Sequence, residues 1–231
     1  MIGIICALNV EVEGLIDKME NTMETSKAGM TFYSGTVFGK EVVAVECGIG
    51  KVNAAMCAQV MIDLFAPSQI INSGIAGALS EETQIGDVVI CRDVVQHDMD
   101  ATALGDPLGL IQFNDCKVMQ IAADESIIAA LETACKSVDG AKFEVGRIAT
   151  GDTFVSAKEQ RRKINSIFGA IACEMEGGAI AQVCFRNKIP FGITRAISDS
   201  VKENEAVDFF KFRNMAAQQS IKILCEYIRT H

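Results

Sequence analysis

Histidine, tryptophan, paired cysteines and long apolar runs are scarce or missing in this 231-residue sequence, and each absence excludes a class of function. Two histidines are present, His97 and His231, and no tryptophan. Most imidazole chemistry is thereby removed, so a catalyst built from this chain has to rely on carboxylates. The nine cysteines are odd in number and contain no Cys-x-x-Cys pair. With neither ligand pairs nor histidines to hand, a zinc site is not expected. Most cysteines stand inside apolar runs such as IICAL, AAMCAQV and IACEME, where a thiol packs as a small hydrophobe. They are expected to be buried and reduced. No stretch approaches the ~20 apolar residues that span a bilayer. The opening MIGIICALNVEVE shows no basic n-region and no cleavage site, which predicts a cytoplasmic protein without membrane association. Basic residues number 21 against 30 acidic ones, and the net charge of −9 argues against a nucleic-acid partner.

Aliphatic residues, by contrast, are plentiful. Hydrophobic residues make up 49% of the chain and charged ones 22%, a composition that folds around a core. Strands are expected over residues 1–8, 69–72, 87–95, 144–150, 170–174 and 191–197, with a hairpin over 31–37 and 41–45 around Phe38-Gly39-Lys40. Helices are expected over 11–19, 51–65, 124–137, 158–167, 176–187 and 208–229. Residues 51–65 are apolar nearly all round, which predicts a buried helix. Residues 97–116 include Gly105, Pro107 and Gly109, carry no clear period and predict a long loop. The alternation predicts an α/β fold: a single domain over residues 1–231, its central mixed, largely parallel sheet flanked by helices. In open α/β sheets ligands sit beyond the carboxyl ends of strands, so residues that follow strands are the candidates for a site.

Five places meet that rule: residues 9–11, 48–51, 73–77, 174–176 and 198–199. In Gly48-Ile49-Gly50-Lys51, a phosphate loop would need glycine at Val45 and a hydroxyl at Val52. A tight strand-to-helix turn, or a close approach of ligand to backbone, remains. The glycines of Ser73-Gly74-Ile75-Ala76-Gly77 either make a turn or line a pocket. Glu174 and Glu176 follow an apolar strand and open an apolar helix, and Glu176 either complements the helix N-terminus or faces a ligand. Arg195, within a strand expected to be buried on both faces, needs a carboxylate partner. Asp199 ends that strand beside Ser198, as a functional group or a helix cap. Glu11 is equally ambiguous at the start of the first helix.

In this order, CALNVEVE, CGIGKVNAA, INSGIAGAL, ATGDTFV, CEMEGGAIA and TRAISD resemble the 5′-methylthioadenosine/S-adenosylhomocysteine nucleosidase family, one of the nucleoside phosphorylase-like groups. The resemblance runs from residue 1 to the final helix and is weakest over 97–120. It implies a nucleoside phosphorylase-like fold and hydrolysis of the N-glycosidic bond of adenine nucleosides bearing a 5′-thioether. Water would be the co-substrate and the homodimer the working form, without metal or organic cofactor. Position by position, Asp199 matches the acid that engages the purine, Glu11 the carboxylate that activates water, and Glu176 the group that grips the ribose hydroxyls. Met175 matches a residue beside the sugar, and Phe154 and Val155 the wall of the base pocket. Gly77, Ile49 and Ser198 fall at further ligand-lining positions, and Phe209 matches an aromatic at the start of the closing helix. Glu174 and Arg195 match groups near the attacking water. Two positions depart from the pattern: Ile75 stands where several relatives have Ser or Thr, and Leu104 where relatives often carry an aromatic reaching the other subunit's 5′ pocket.

The chemistry explains why such residues are wanted. Adenine leaves poorly as an anion, and a proton on N7 turns it into a neutral leaving group. Burial of Asp199 in an apolar pocket, which disfavours the charged form, is expected to let it carry that proton. Glu11 has to be ionised to deprotonate water on the opposite face of the sugar, which is the logic of an inverting glycosidase. A phosphorylase would instead want arginines and hydroxyls around phosphate, whereas no arginine precedes Arg92 and the first strand leads to Glu11. A nucleoside-binding sensor would have no use for all three carboxylates.

Overall fold

The computed structural model describes residues 1–200 and 205–231. The chain begins with β1 (Ile2–Cys6), α1 (Asn9–Ile16) and a meander of β2 (Glu20–Lys27), β3 (Met30–Val37) and β4 (Lys40–Glu46). There follow α2 (Lys51–Phe65), β5 (Gln69–Ala78) and β6 (Val88–Gln96). A region with one turn of 3-10 helix (Thr102–Leu104) then leads through three two-residue strands, β7 (Ile111–Gln112), β8 (Lys117–Val118) and β9 (Ile121–Ala122). The remainder alternates as α3 (Glu125–Ser137), β10 (Phe143–Thr150), α4 (Lys158–Phe168), β11 (Ala170–Glu174), α5 (Gly177–Asn187), β12 (Phe191–Asp199) and α6 (Glu205–Thr230).

One sheet runs in the order β11-β10-β6-β12-β5-β1-β4-β3-β2. The pairs β1–β4, β1–β5, β5–β12, β6–β10 and β10–β11 are parallel, and β2–β3, β3–β4 and β6–β12 antiparallel. The expected single α/β domain with a mixed, largely parallel sheet is what forms. It is not fully open, however. β11 pairs a second time, antiparallel with β5, through Ala172–Ala78 and Cys173–Gly77. Five strands thereby close into a barrel-like ring, which draws the ends of β5, β11 and β12 together.

Strand periodicity explains the layers. Ile4 and Ile5 are neighbours in β1 yet fall in opposite cores, as the two-residue repeat of a strand requires. On one face α2 and α5 bury Ala54, Cys57, Met61, Ile180 and Cys184 against Ile5, Val43 and Ile70. On the other, α1, α3 and α6 bury Leu15, Leu131, Leu224 and Tyr227 against Ile4, Val42 and Ile90. The α2 helix is not buried all round as its composition predicts: Val52 (77% exposed), Met56 and Leu64 face outward from the single chain. Eight of the nine cysteines are buried and all are free thiols. Burial pushes the thiols of Cys135, Cys173 and Cys184 up to about 12, which suits packing and not reactivity. Among the described residues, no helix is long and apolar enough to cross a membrane.

Candidate active site

Glu11 is set by the junction of β1 and α1. As the third residue of the helix it folds back over the N-terminus, where its Oε2 accepts from Ala7 N (2.9 Å) and Leu8 N (2.8 Å). Its Oε1 accepts from Ile75 N of β5 (3.0 Å). Burial raises its pKa, opposed by the charge of Arg195 and by these three N–H groups. Glu11 therefore serves the helix N-terminus and presents a buried carboxylate at once.

The glycines after Asn72 make no turn. β5 runs extended through them, and they allow close approach. A Cβ on Gly74 would lie 2.7 Å from Glu11 Oε1, and one on Gly77 2.7 Å from Asp199 Oδ2. Glycine at these two positions lets two carboxylates rest against one strand. Their anchor points lie three residues, roughly 10 Å, apart along it.

The pair Glu174 and Glu176 divides its tasks. Glu174, at the end of β11, accepts from Glu176 N (3.0 Å) and Gly177 N (2.6 Å) at the start of α5. It also receives the Thr150 hydroxyl and Arg195 Nη2 (2.5 Å). The helix N-terminus and the buried arginine are thus both served by Glu174. Arg195 also donates to Asn72 Oδ1. Burial alone would lower its pKa, but Glu174, Glu176 and Glu11 hold it above the ordinary value. Glu176 is left to accept from Gly50 N (2.8 Å). Burial, then the charge of Glu174, pushes its carboxyl up to about 7 against the pull of Arg195 and the Gly50 N–H. In the glycine turn before α2, Gly50 has φ +98°, and Lys51 N donates to Asp152 Oδ1 (2.7 Å). Carboxylates occupy the N–H groups that a phosphate loop would turn to its ligand.

Asp199 ends β12, where the register with β5 shifts between Ile197 and Asp199. The Ser198 hydroxyl donates to its Oδ1 (2.6 Å). Its surroundings differ from the apolar pocket expected. Arg161 of α4, wholly buried, donates through Nη2 to Asp199 Oδ2. Sequence reasoning passed over Arg161, although a signal was present. Arg161, Ile164 and Phe168 are the buried residues of α4, an i, i+3, i+7 stripe, and an arginine on such a stripe has to meet an anion.

Glu11, Glu174, Glu176 and Asp199 open onto one cavity. Ile49, Gly77, Met175 and Ser198 are also in its wall, as is the departing residue Ile75. Phe154 and Phe209 line it as well and meet edge to face, ring centroids 5.4 Å apart. Arg195 stands behind the wall. Val155 is set back beside a recess of about 40 Å³ shared with Arg161 and Asp199. Leu104 is 85% exposed and outside the cavity. The site brings four carboxylates and two aromatic side chains to the wall of one pocket.

The sequence pattern of the Phosphorylase superfamily matches residues 1–229. Over 230 residues the chain is 40% identical to the 5′-methylthioadenosine/S-adenosylhomocysteine nucleosidase of Staphylococcus haemolyticus, covering 99% of each. It matches a solved structure of the Neisseria meningitidis enzyme of the same name, in complex with methylthio-immucillin-A, with a TM-score of 0.94 at 37% identity, covering 100% of this chain and 99% of that one. Against the futalosine hydrolase of Helicobacter pylori the TM-score is 0.93 at 31% identity, covering 100% and 97%. Matched along its full length in sequence and fold, the chain belongs to the phosphorylase superfamily and, within it, to the 5′-methylthioadenosine/S-adenosylhomocysteine nucleosidase family.

Proposed function

We propose that residues 1–231 act as one nucleosidase domain that hydrolyses the N-glycosidic bond of 5′-methylthioadenosine and S-adenosylhomocysteine, and of 5′-deoxyadenosine. Adenine and the 5-substituted ribose are the products, in methionine salvage and the recycling of S-adenosylmethionine by-products. The observation that carries this reading is the pair Glu11 and Asp199, seated against Gly74 and Gly77 of one strand at two places in one cavity. Asp199 gives its proton to adenine N7, and the C1′–N9 bond breaks with its electron pair going to the purine. Water forms the new bond to C1′ and loses a proton to Glu11. Glu176 accepts from the 2′ and 3′ hydroxyls while charge develops on the sugar, Met175 packs beside the ring, and Phe154 and Phe209 border the base.

The working form in this reading is a homodimer. A second copy would cover the outward apolar residues Val52, Met56 and Leu64 of α2. A cytoplasmic site of action agrees with nine free thiols.

The experiment is release of adenine from 5′-methylthioadenosine in phosphate-free buffer. Turnover that is unchanged on adding phosphate is expected, and a strict need for phosphate overturns the hydrolase. A pH dependence follows from Glu176. Its carboxyl is pushed up to about 7, so below that pH it is protonated and loses its capacity to accept from both ribose hydroxyls. On the acid side kcat/KM should therefore fall as pH drops through about 7, where an ordinary glutamate would hold its charge to about 4.3. A level profile between pH 8 and 5 would remove this role.

A further inference from the structure

We propose that Arg161 is a positioning residue for the acid Asp199, an inference that rests on the function proposed above. All three guanidinium nitrogens are engaged. Nε donates to Val155 O (3.0 Å), Nη1 to Ala78 O (2.8 Å) and Nη2 to Asp199 Oδ2. One rigid fork thereby ties together the end of β5, the 153–155 segment beside the cavity and the acid at the end of β12. Stability alone gives no reason for this arrangement. A buried ion pair is no better for folding than well-packed apolar side chains of similar volume, and Ile164 and Phe168 already fill the same face of α4 with hydrophobes.

Gly77 makes the meeting possible. A Cβ there would lie 2.7 Å from Asp199 Oδ2 and 3.1 and 3.2 Å from Arg161 Nη1 and Nη2. Ser198 on Oδ1 and Arg161 on Oδ2 together fix the plane of the carboxyl. The guanidinium also has an electrostatic part. Once the proton has passed from Asp199 to N7, the guanidinium is already in place to pair with the carboxylate left behind. Arg161 touches no substrate atom in this scheme and acts through Asp199.

The test compares two leaving groups in Arg161→Met and Arg161→Lys. Adenine needs the proton, whereas the nitrophenolate of p-nitrophenyl 5-methylthio-β-D-ribofuranoside departs as a stable anion. Arg161→Met should lower kcat/KM for 5′-methylthioadenosine by on the order of 100-fold, and Arg161→Lys, which keeps charge without the fork, by about tenfold. On the nitrophenyl riboside both should stay within about threefold of wild type. An equal loss on both substrates would make Arg161 merely structural, and wild-type rates on the adenine substrate would leave it no role. If Arg161→Met fails to fold, Arg161→Lys decides by the same comparison. If the wild type leaves the nitrophenyl riboside intact, the split on 5′-methylthioadenosine decides: a fall in kcat that Lys partly restores supports the proposal, and equal kcat in all three proteins overturns it. A wild type that releases no adenine from 5′-methylthioadenosine sinks the proposed function instead, whatever Arg161 does.

Discussion

Asp199→Asn is expected to lower kcat for 5′-methylthioadenosine by about 10³-fold, in the range for loss of a general acid, while the nucleoside still binds. The surroundings of Asp199 decide how the amide sits. Arg161 donates to the Oδ2 position, so the amide oxygen settles there and the NH₂ takes the other side. An amide N–H can hydrogen-bond to N7, but it has no proton to transfer, and adenine must then leave as an anion. Binding and turnover should separate cleanly: calorimetry shows the nucleoside bound, and a single-turnover experiment shows the glycosidic bond intact over many wild-type half-lives. A variant that binds and turns over at the wild-type rate removes Asp199 from the chemistry.

Glu11→Gln should cost about 10²–10⁴-fold in rate through loss of the proposed base, and it should also destabilise the protein. The two carboxylate oxygens accept from three backbone N–H groups, those of Ala7, Leu8 and Ile75. A glutamine has one acceptor oxygen. Whichever way the amide turns, its NH₂ faces at least one of those donors and leaves it unsatisfied in the interior, at about 1–3 kcal/mol. For a chain of this length that lowers Tm by roughly 2–12 °C, which differential scanning calorimetry reads directly. Activity lost with Tm unchanged would contradict the hydrogen bonding of Glu11, and full activity would contradict its role as base.

Legibility in the sequence followed the physics of each element. Residues that pack on one face announce themselves, and α3 and β1 lie close to where periodicity places them. β2 was missed because all eight of its residues are exposed; it joins the sheet edge through backbone bonds to β3, and no apolar alternation marks it. β7, β8 and β9, of two residues each, are too short for any period and lie in or just beyond the stretch expected to be a loop. The extension of β5 was hidden by its glycines, which suggest a turn yet serve close approach at Gly74 and Gly77. Strand ends pointed to the carboxylates, but the division between Glu174 and Glu176 depends on which oxygen faces which N–H, a matter three-dimensional contacts alone decide. The second pairing of β11 with β5 joins segments about a hundred residues apart, beyond the reach of local pattern.

In the proposed reaction, water attacks C1′ from the face opposite the departing adenine. Proton NMR of the first minutes of reaction with 5′-methylthioadenosine in phosphate-free buffer reads the stereochemistry of that attack. Equimolar adenine and free 5-methylthioribose, the sugar appearing first as the α anomer, is the predicted result. No adenine without phosphate, a sugar 1-phosphate when phosphate is added, or the β anomer first would contradict it.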